Sequence, residues 1–278
     1  MEQLRTVVFL GALTGILLLL GGLLGGSDGV VIAFVFSLLL NGISYFFSDK
    51  IVLMMYRAQP LEEKAEHANR VRTLVHHVAQ RMNIPVPKLY TIAEQSPNAF
   101  ATGRDPHHAV VVFTHGILNL LNDEELEGVI AHELSHVKNR DVLIASMAAT
   151  IAGAIGMLAH SMMWFGFGGR DNENRNVVGM ILIAISVPII ATLVQLAVSR
   201  SREFHADETA AHTLHTGHGL ASALAKLEKG IHSRPFSNAN QGTAHLFIAN
   251  PFSKGGLVGL FRTHPAVNER IQRLKQFH

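Results

Sequence analysis

Four stretches of this 278-residue chain carry no Asp, Glu, Lys or Arg: residues 6–27, 29–48, 142–169 and 176–199. They are 22, 20, 28 and 24 residues long, and a helix of about 20 apolar residues crosses the hydrocarbon core of a bilayer. Buried helices of a soluble domain ordinarily keep a polar face, which these runs lack. The pattern predicts four transmembrane helices in two hairpins, residues 1–49 and 141–199, with Ser27-Asp28-Gly29 as the first turn. Residues 50–140 and 200–278 are then two parts of one polar domain. Gly153, Gly156, His160 and Pro188 interrupt the second hairpin in ways a membrane helix tolerates. The first run reads as an anchor and not a cleaved leader, because it lacks an A-x-A site and a second span follows at once. Arg5, Lys50, Arg57, Lys138, Arg140, Arg200 and Arg202 fall on one side of the spans. Only Arg170 and Arg175 fall on the other, offset by Asp171 and Glu173. The bias predicts a multi-pass protein of the cytoplasmic membrane with both termini and the polar domain in the cytoplasm.

The polar parts carry the chemistry. There is no cysteine, so disulfides and Cys-ligated metals are excluded. The net charge of +2 comes without a basic tract interleaved with aromatics, which argues against nucleic acid as a partner. His132-Glu133-Leu134-Ser135-His136 stands out. Histidines four apart share one helix face and can converge on one tetrahedral Zn²⁺, with the intervening glutamate in reach of the metal's water as general base. Such a five-residue pattern arises by chance in about one chain of this composition in twenty, so its surroundings matter. A two-His site needs a third protein ligand that leaves the fourth position open. Glu203, just past the fourth charge-free run, supplies one, and Asp207 one turn later can fix the tautomer of a ligating histidine. His205 competes with Glu203 by residue type, although it points away from the Glu203–Asp207 face. His76, His77, His212, His215 and His218 read as ordinary surface histidines.

The periodicity gives an α-rich α+β fold. Leu61 to Met82 forms an amphipathic helix with Ala68, Val71, Val75, Val78 and Met82 inward. Residues 88–93, 98–103 and 108–114 form three strands of a small sheet, whose edge could pair with an extended peptide. Asn122 or Asp123 caps a helix through the His-Glu motif, with Glu124, Glu125 and Glu127 in its first turns. Residues 208–229 read as one helix and 233–259 as a flexible loop over the site. Thr263-His264-Pro265 opens a last helix that packs through Ile271, Leu274 and Phe277. A zinc transporter or scaffold would need facing charges within the spans, and His160 is the one His, Asp, Glu, Lys or Arg inside the four runs.

On these motifs, together with Asn98-Ala99-Phe100-Ala101-Thr102-Gly103 and Thr263-His264-Pro265, the whole chain resembles the HtpX-type integral-membrane zinc metalloproteases, relatives of the CAAX prenyl endopeptidases. The resemblance implies a zincin-like protease domain with one zinc held by His132, His136 and Glu203, Glu133 as base and Asp207 behind a ligand. It also implies Asn98, His264 and Arg270 near the oxyanion of the reaction. The expected activity is hydrolysis of misfolded or damaged membrane proteins at the bacterial inner membrane, as quality control under stress. Membrane-protein substrates, lipid and other quality-control proteases are the implied partners.

Overall fold

The computed structural model describes residues 2–152, 199–233, 246–248 and 265–277. The first helix, α1, spans Glu2–Met55, but Gly26 (φ 59°, ψ −140°) breaks it into two arms. Glycine adopts that backbone without a Cβ penalty, so the chain reverses here, just before the anticipated Ser27-Asp28-Gly29. The arms touch closely at Gly21 and Gly29, where a Cβ on either would collide with the other's backbone. Asn41 Nδ2 donates to Thr14 Oγ1 across the hairpin at 3.0 Å. The second arm, Gly25–Met55, has 31 residues, and its most apolar 18-residue window has a mean hydropathy of 2.2, long and apolar enough to cross a membrane. Val31, Ile32, Phe36, Leu39 and Phe46 lie exposed along it. A continuous apolar face of this kind marks lipid or protein contact, not water, and the protein is membrane-associated.

Among the described residues this is the one helix that meets the length and composition of a span; Leu10–Leu19 and Val142–Ala152 are shorter apolar helices. The expected second hairpin lies mostly outside the described residues. Its start is the helix Val142–Ala152 (α5), which packs Leu143, Ile144, Met147 and Ile151 against Leu13 of α1.

The first helix of the polar domain is α2, Ala68–Met82, which buries the predicted face. It starts seven residues later than the periodicity suggested, because the Leu61 amide is tied to the Leu89 carbonyl at the sheet edge. The sheet holds four strands in the order β1-β2-β4-β3: Gln59–Pro60, Lys88–Ile92, Val110–Thr114 and Ala99–Thr102. β2 and β4 are parallel, and β3 runs antiparallel to β4 as an edge. The two-residue β1 is too short for alternation to reveal.

β4 is buried along its whole length. Val111 and Phe113 face the helical core, while Val110 and Val112 face Val52 and Tyr56 at the end of α1. A strand covered on both faces reads as an unbroken apolar run, here Val110-Val111-Val112-Phe113.

A short helix, α3 (His115–Leu120), leads to α4 (Asp123–Lys138). Asn122 caps α4 in a reciprocal box with Glu125, each side chain accepting from the other's amide at 2.9 Å. The expected single helix over 208–229 is two, α6 (Arg200–Leu214) and α7 (His218–Ser233). His215 is left-handed (φ 57°), and Gly217 lies so close to the Leu274 backbone that a Cβ would collide. The last helix, α8 (Val267–Leu274), docks at this break, starting past Pro265 and packing Ile271, Leu274 and Phe277 inward as predicted.

Candidate metal centre

The buried residues of α4 include Glu125, His132, Glu133 and Ser135 alongside its apolar residues. Polar groups so buried need partners. Ser135 Oγ donates to the Ala131 carbonyl within the helix, and Glu125 takes Ser222 and Lys226 of α7. The remaining groups converge on α6. His132 Nε2 and His136 Nε2 are 3.3 Å apart. Glu203 sets one carboxylate oxygen 3.8 Å from the first and the other 3.5 Å from the second. All three ligand atoms lie within 4.8 Å of one another. A tetrahedral ion bound at about 2.0–2.1 Å separates its ligands by roughly 3.3 Å, so this triangle fits a small divalent metal. His205 is exposed on the other side of α6 and takes no part.

Each imidazole is held from behind. Asp207 Oδ1 is 2.9 Å from His132 Nδ1, and Asp141 Oδ2 is 3.4 Å from His136 Nδ1. Carboxylates in these positions aim the opposite nitrogens at a metal. Asp207 was legible in the sequence by its four-residue offset from Glu203. Asp141 was not singled out; the available signal was an acid at the last position before the third charge-free run.

Arg270 is fully buried, not at the surface as helix position alone would suggest. Its Nε and Nη2 donate to the two Asp207 oxygens at 2.8 and 2.7 Å, and Nη1 donates to the Ile248 carbonyl at 3.0 Å. It therefore stands behind His132. Asn98, also buried, receives the Ile248 amide on Oδ1 at 3.1 Å. His264 lies outside the described residues.

The electrostatics differ from group to group. Burial pushes the His132 imidazole's pKa down, with Arg270 adding to the fall and Asp207 opposing it. Burial would do the same to His136, but Asp141, Glu203 and Glu133 outweigh it and raise that group to about 9. Burial would raise Asp207, yet the Arg270 guanidinium holds it down to about 2. Glu133 is raised to about 7, chiefly by burial, with the charge of His136 opposing and that of Glu203 adding. Its Oε2 accepts the Ala101 amide of edge strand β3 at 3.0 Å.

A small pocket of about 60 Å³ opens over these groups. Beside His132, Glu133, His136 and Glu203, its walls are Phe100 and Ala101 of β3, Val142 and Ala145 of α5, and Leu246 to Ile248. Those last three residues belong to the expected 233–259 loop, and all three are buried. Metal-ligating groups, a carboxyl titrating near neutrality and a strand that is an edge among the described residues, beside an apolar wall, make a site for metal-assisted hydrolysis of an extended chain.

The chain is similar to known proteins over nearly its whole length. The chain is 49% identical over 281 residues to the "Protease HtpX homolog" of Syntrophobacter fumaroxidans, covering 99% of each chain. It is 49% identical over 275 residues to that of Pyrococcus furiosus (98% and 94% covered). For Aquifex aeolicus the identity is 51% over 268 residues (94% and 88%). In three dimensions it resembles the crystal structure of S. mikatae Ste24p, with a TM-score of 0.50 at 18% identity, over 98% of this chain. It spans 64% of that protein's length, and the likeness speaks to the fold alone. Residues 65–278 match the profile of Peptidase family M48, and with the ligand triangle and its adjacent glutamate inside that range, the chain belongs to this metallopeptidase family.

Proposed function

We propose that this protein is a zinc-dependent membrane endopeptidase that cuts misfolded or damaged membrane proteins close to the cytoplasmic face of the bacterial inner membrane. The observation that carries the reading is the triangle of His132, His136 and Glu203 with Glu133 one residue from the first ligand. When bound, zinc supplies a water acidified from 15.7 toward about 7 and polarises the scissile carbonyl. Glu133 takes the proton of the attacking water and returns it to the leaving amine, a task suited to a carboxyl near 7. Asp207 and Asp141 keep the imidazoles oriented. The outer edge of β3, where Glu133 accepts the Ala101 amide, aligns an extended substrate by strand addition, and Leu246 to Ile248 receive an apolar side chain. Asn98, Arg270 and His264 complete the proposed site.

The membrane setting is supported by the exposed arm Gly25–Met55 and by α5, which starts one residue after Asp141. In this reading residues 1–49 and 141–199 are two spanning hairpins, and both termini and the catalytic parts 50–140 and 200–278 face the cytoplasm. The short path from His136 to α5 limits cleavage to about 10 Å from the membrane surface. The quality-control and stress role, and other quality-control proteases as partners, follow from the resemblance to HtpX-type enzymes.

The test is purified full-length protein, with bound zinc per chain and cleavage of an unfolded membrane protein measured together. Glu133→Gln is expected to keep zinc and lose turnover, and Glu203→Ala to lose both. Turnover at the wild-type rate in Glu133→Gln would sink the assignment.

A further inference from the structure

Asn98 and Arg270 end on the same residue from opposite sides. The Ile248 amide donates to Asn98 Oδ1, and the Ile248 carbonyl accepts from Arg270 Nη1. Leu246 to Ile248 belong to neither α-helix nor strand, so no ladder fixes their place, and buried backbone groups outside a ladder depend on such side-chain partners. Both anchors are rigid. The Asn98 amide donates to Thr114 Oγ1 at 2.9 Å, and its carbonyl accepts from the Thr114 amide at 3.0 Å. Arg270 is clamped in two places by Asp207.

An amide N–H can only donate, so the Asn98 atom facing Ile248 is its oxygen. The pocket lining contains Leu246, Phe247 and Ile248 but neither anchor. Phe247 in turn packs edge-on against Tyr56, with ring centres 6.4 Å apart.

We infer that Asn98 is a positioning residue acting through its amide oxygen: it pins Leu246–Ile248 as the apolar wall of the substrate pocket and is not a donor to the reacting carbonyl. The inference rests on the peptidase reading for its kinetics, though not for its structural half. Loss of the anchor leaves the Ile248 amide buried and unmatched, and the wall moves. Ground-state binding of an apolar side chain suffers more than the chemical step, so KM rises more than kcat falls. The metal ligands keep their own partners, so zinc stays.

Two variants of the full-length protein decide the matter. Asn98→Ala removes the acceptor; Asn98→Asp keeps an oxygen but has no side-chain N–H. Hydrogen–deuterium exchange of the peptide holding 246–248 is followed in a Glu133→Gln background, to prevent self-cleavage. Kinetics are measured without that change, on peptides with Leu or Ala beside the cut bond. In Asn98→Ala, exchange at Ile248 is expected to quicken about tenfold, with KM for the Leu peptide up by about the same factor and zinc retained. Asn98→Asp is expected to restore slow exchange and to recover most of the KM.

Unchanged exchange in Asn98→Ala would overturn the anchor. Slow exchange in Asn98→Asp with cleavage as poor as in Asn98→Ala would overturn it too, because the amide hydrogen would then be the working group. A wild type that cleaves nothing would strike the peptidase reading instead, while exchange still decides the anchor.

Discussion

His132 and His136 sit one turn apart on the same helix face, yet the two sides of the site treat them oppositely. The deep side, built by α6 and α8, backs His132 with an aspartate already neutralised by Arg270, and burial lowers the imidazole's pKa. The mouth, built by the start of α5, backs His136 with Asp141 and surrounds it with Glu203 and Glu133, and its proton is held to about 9. One ligand sits where burial disfavours the proton that would compete with a cation. The other must release a proton first. The deep side is therefore structural and metal-binding together, and the mouth is the part that titrates.

The largest test of this contrast is Asp207→Ala. It strips Arg270 of its bidentate partner inside the core, and breaking a buried pair this way costs about 3–5 kcal/mol. Thermal unfolding is expected well below that of the wild type, with zinc lost as well; an unshifted midpoint would remove the structural half of the contrast. Asp141→Asn at the mouth is expected to lower the unfolding midpoint of the chelator-treated protein by less than Asp207→Ala does, because it leaves no buried guanidinium without its bidentate partner, while zinc affinity falls about 10- to 100-fold. Equal destabilisation by both variants would erase the difference between the two sides.

Titration sharpens the comparison. A proton on His136 competes with zinc, so affinity measured by a competing chelator should fall about tenfold per pH unit below about 9, with one proton released on binding. Stability of the chelator-treated protein carries the opposite sign. The folded pKa of His136 lies above its ordinary 6.5, so the group's contribution is fully present below 6.5 and is lost as pH rises through about 9. Melting temperatures across that window, with and without zinc, check both statements. The smallest effect belongs to Arg202→Ala, which removes a partner 3.5 Å from Asp141. The pair is mostly buried, but its contact lies at the long limit of a hydrogen bond, so zinc affinity should fall by less than in Asp141→Asn.

The same contrast describes what could be read from the sequence. α4 was legible because its information is local: Asn122 and Glu125 form the cap, and the motif's spacing is one helical turn. β4 was legible as a valine run, and Asp207 by its offset from Glu203. The missing parts depend on distant chain segments. The break at His215 to Gly217 exists because Leu274 docks there. The delayed start of α2 reflects a bond from Leu61 to Leu89. Arg270 is buried because Asp207, 63 positions earlier, is there to receive it, and an isolated arginine six residues past His264 gives no hint of that. The role of Leu246 to Ile248 as a wall is invisible in a stretch without periodicity.

The packing of Val110, Val112 and Phe100 against Val52 and Tyr56 has a mechanical consequence. The back of the catalytic sheet and the end of α1 share one core, with no slack linker between anchor and blade. With α1 in the bilayer, the cutting edge keeps a constant height above the lipid, like a plane iron set in its stock. On the proposed reading, choice of cleavage site becomes partly a question of depth, a bond being cut when the substrate's own topology lifts it to that height. Detaching the blade by truncation after Tyr56 would bare the apolar back of the sheet along with freeing its edge.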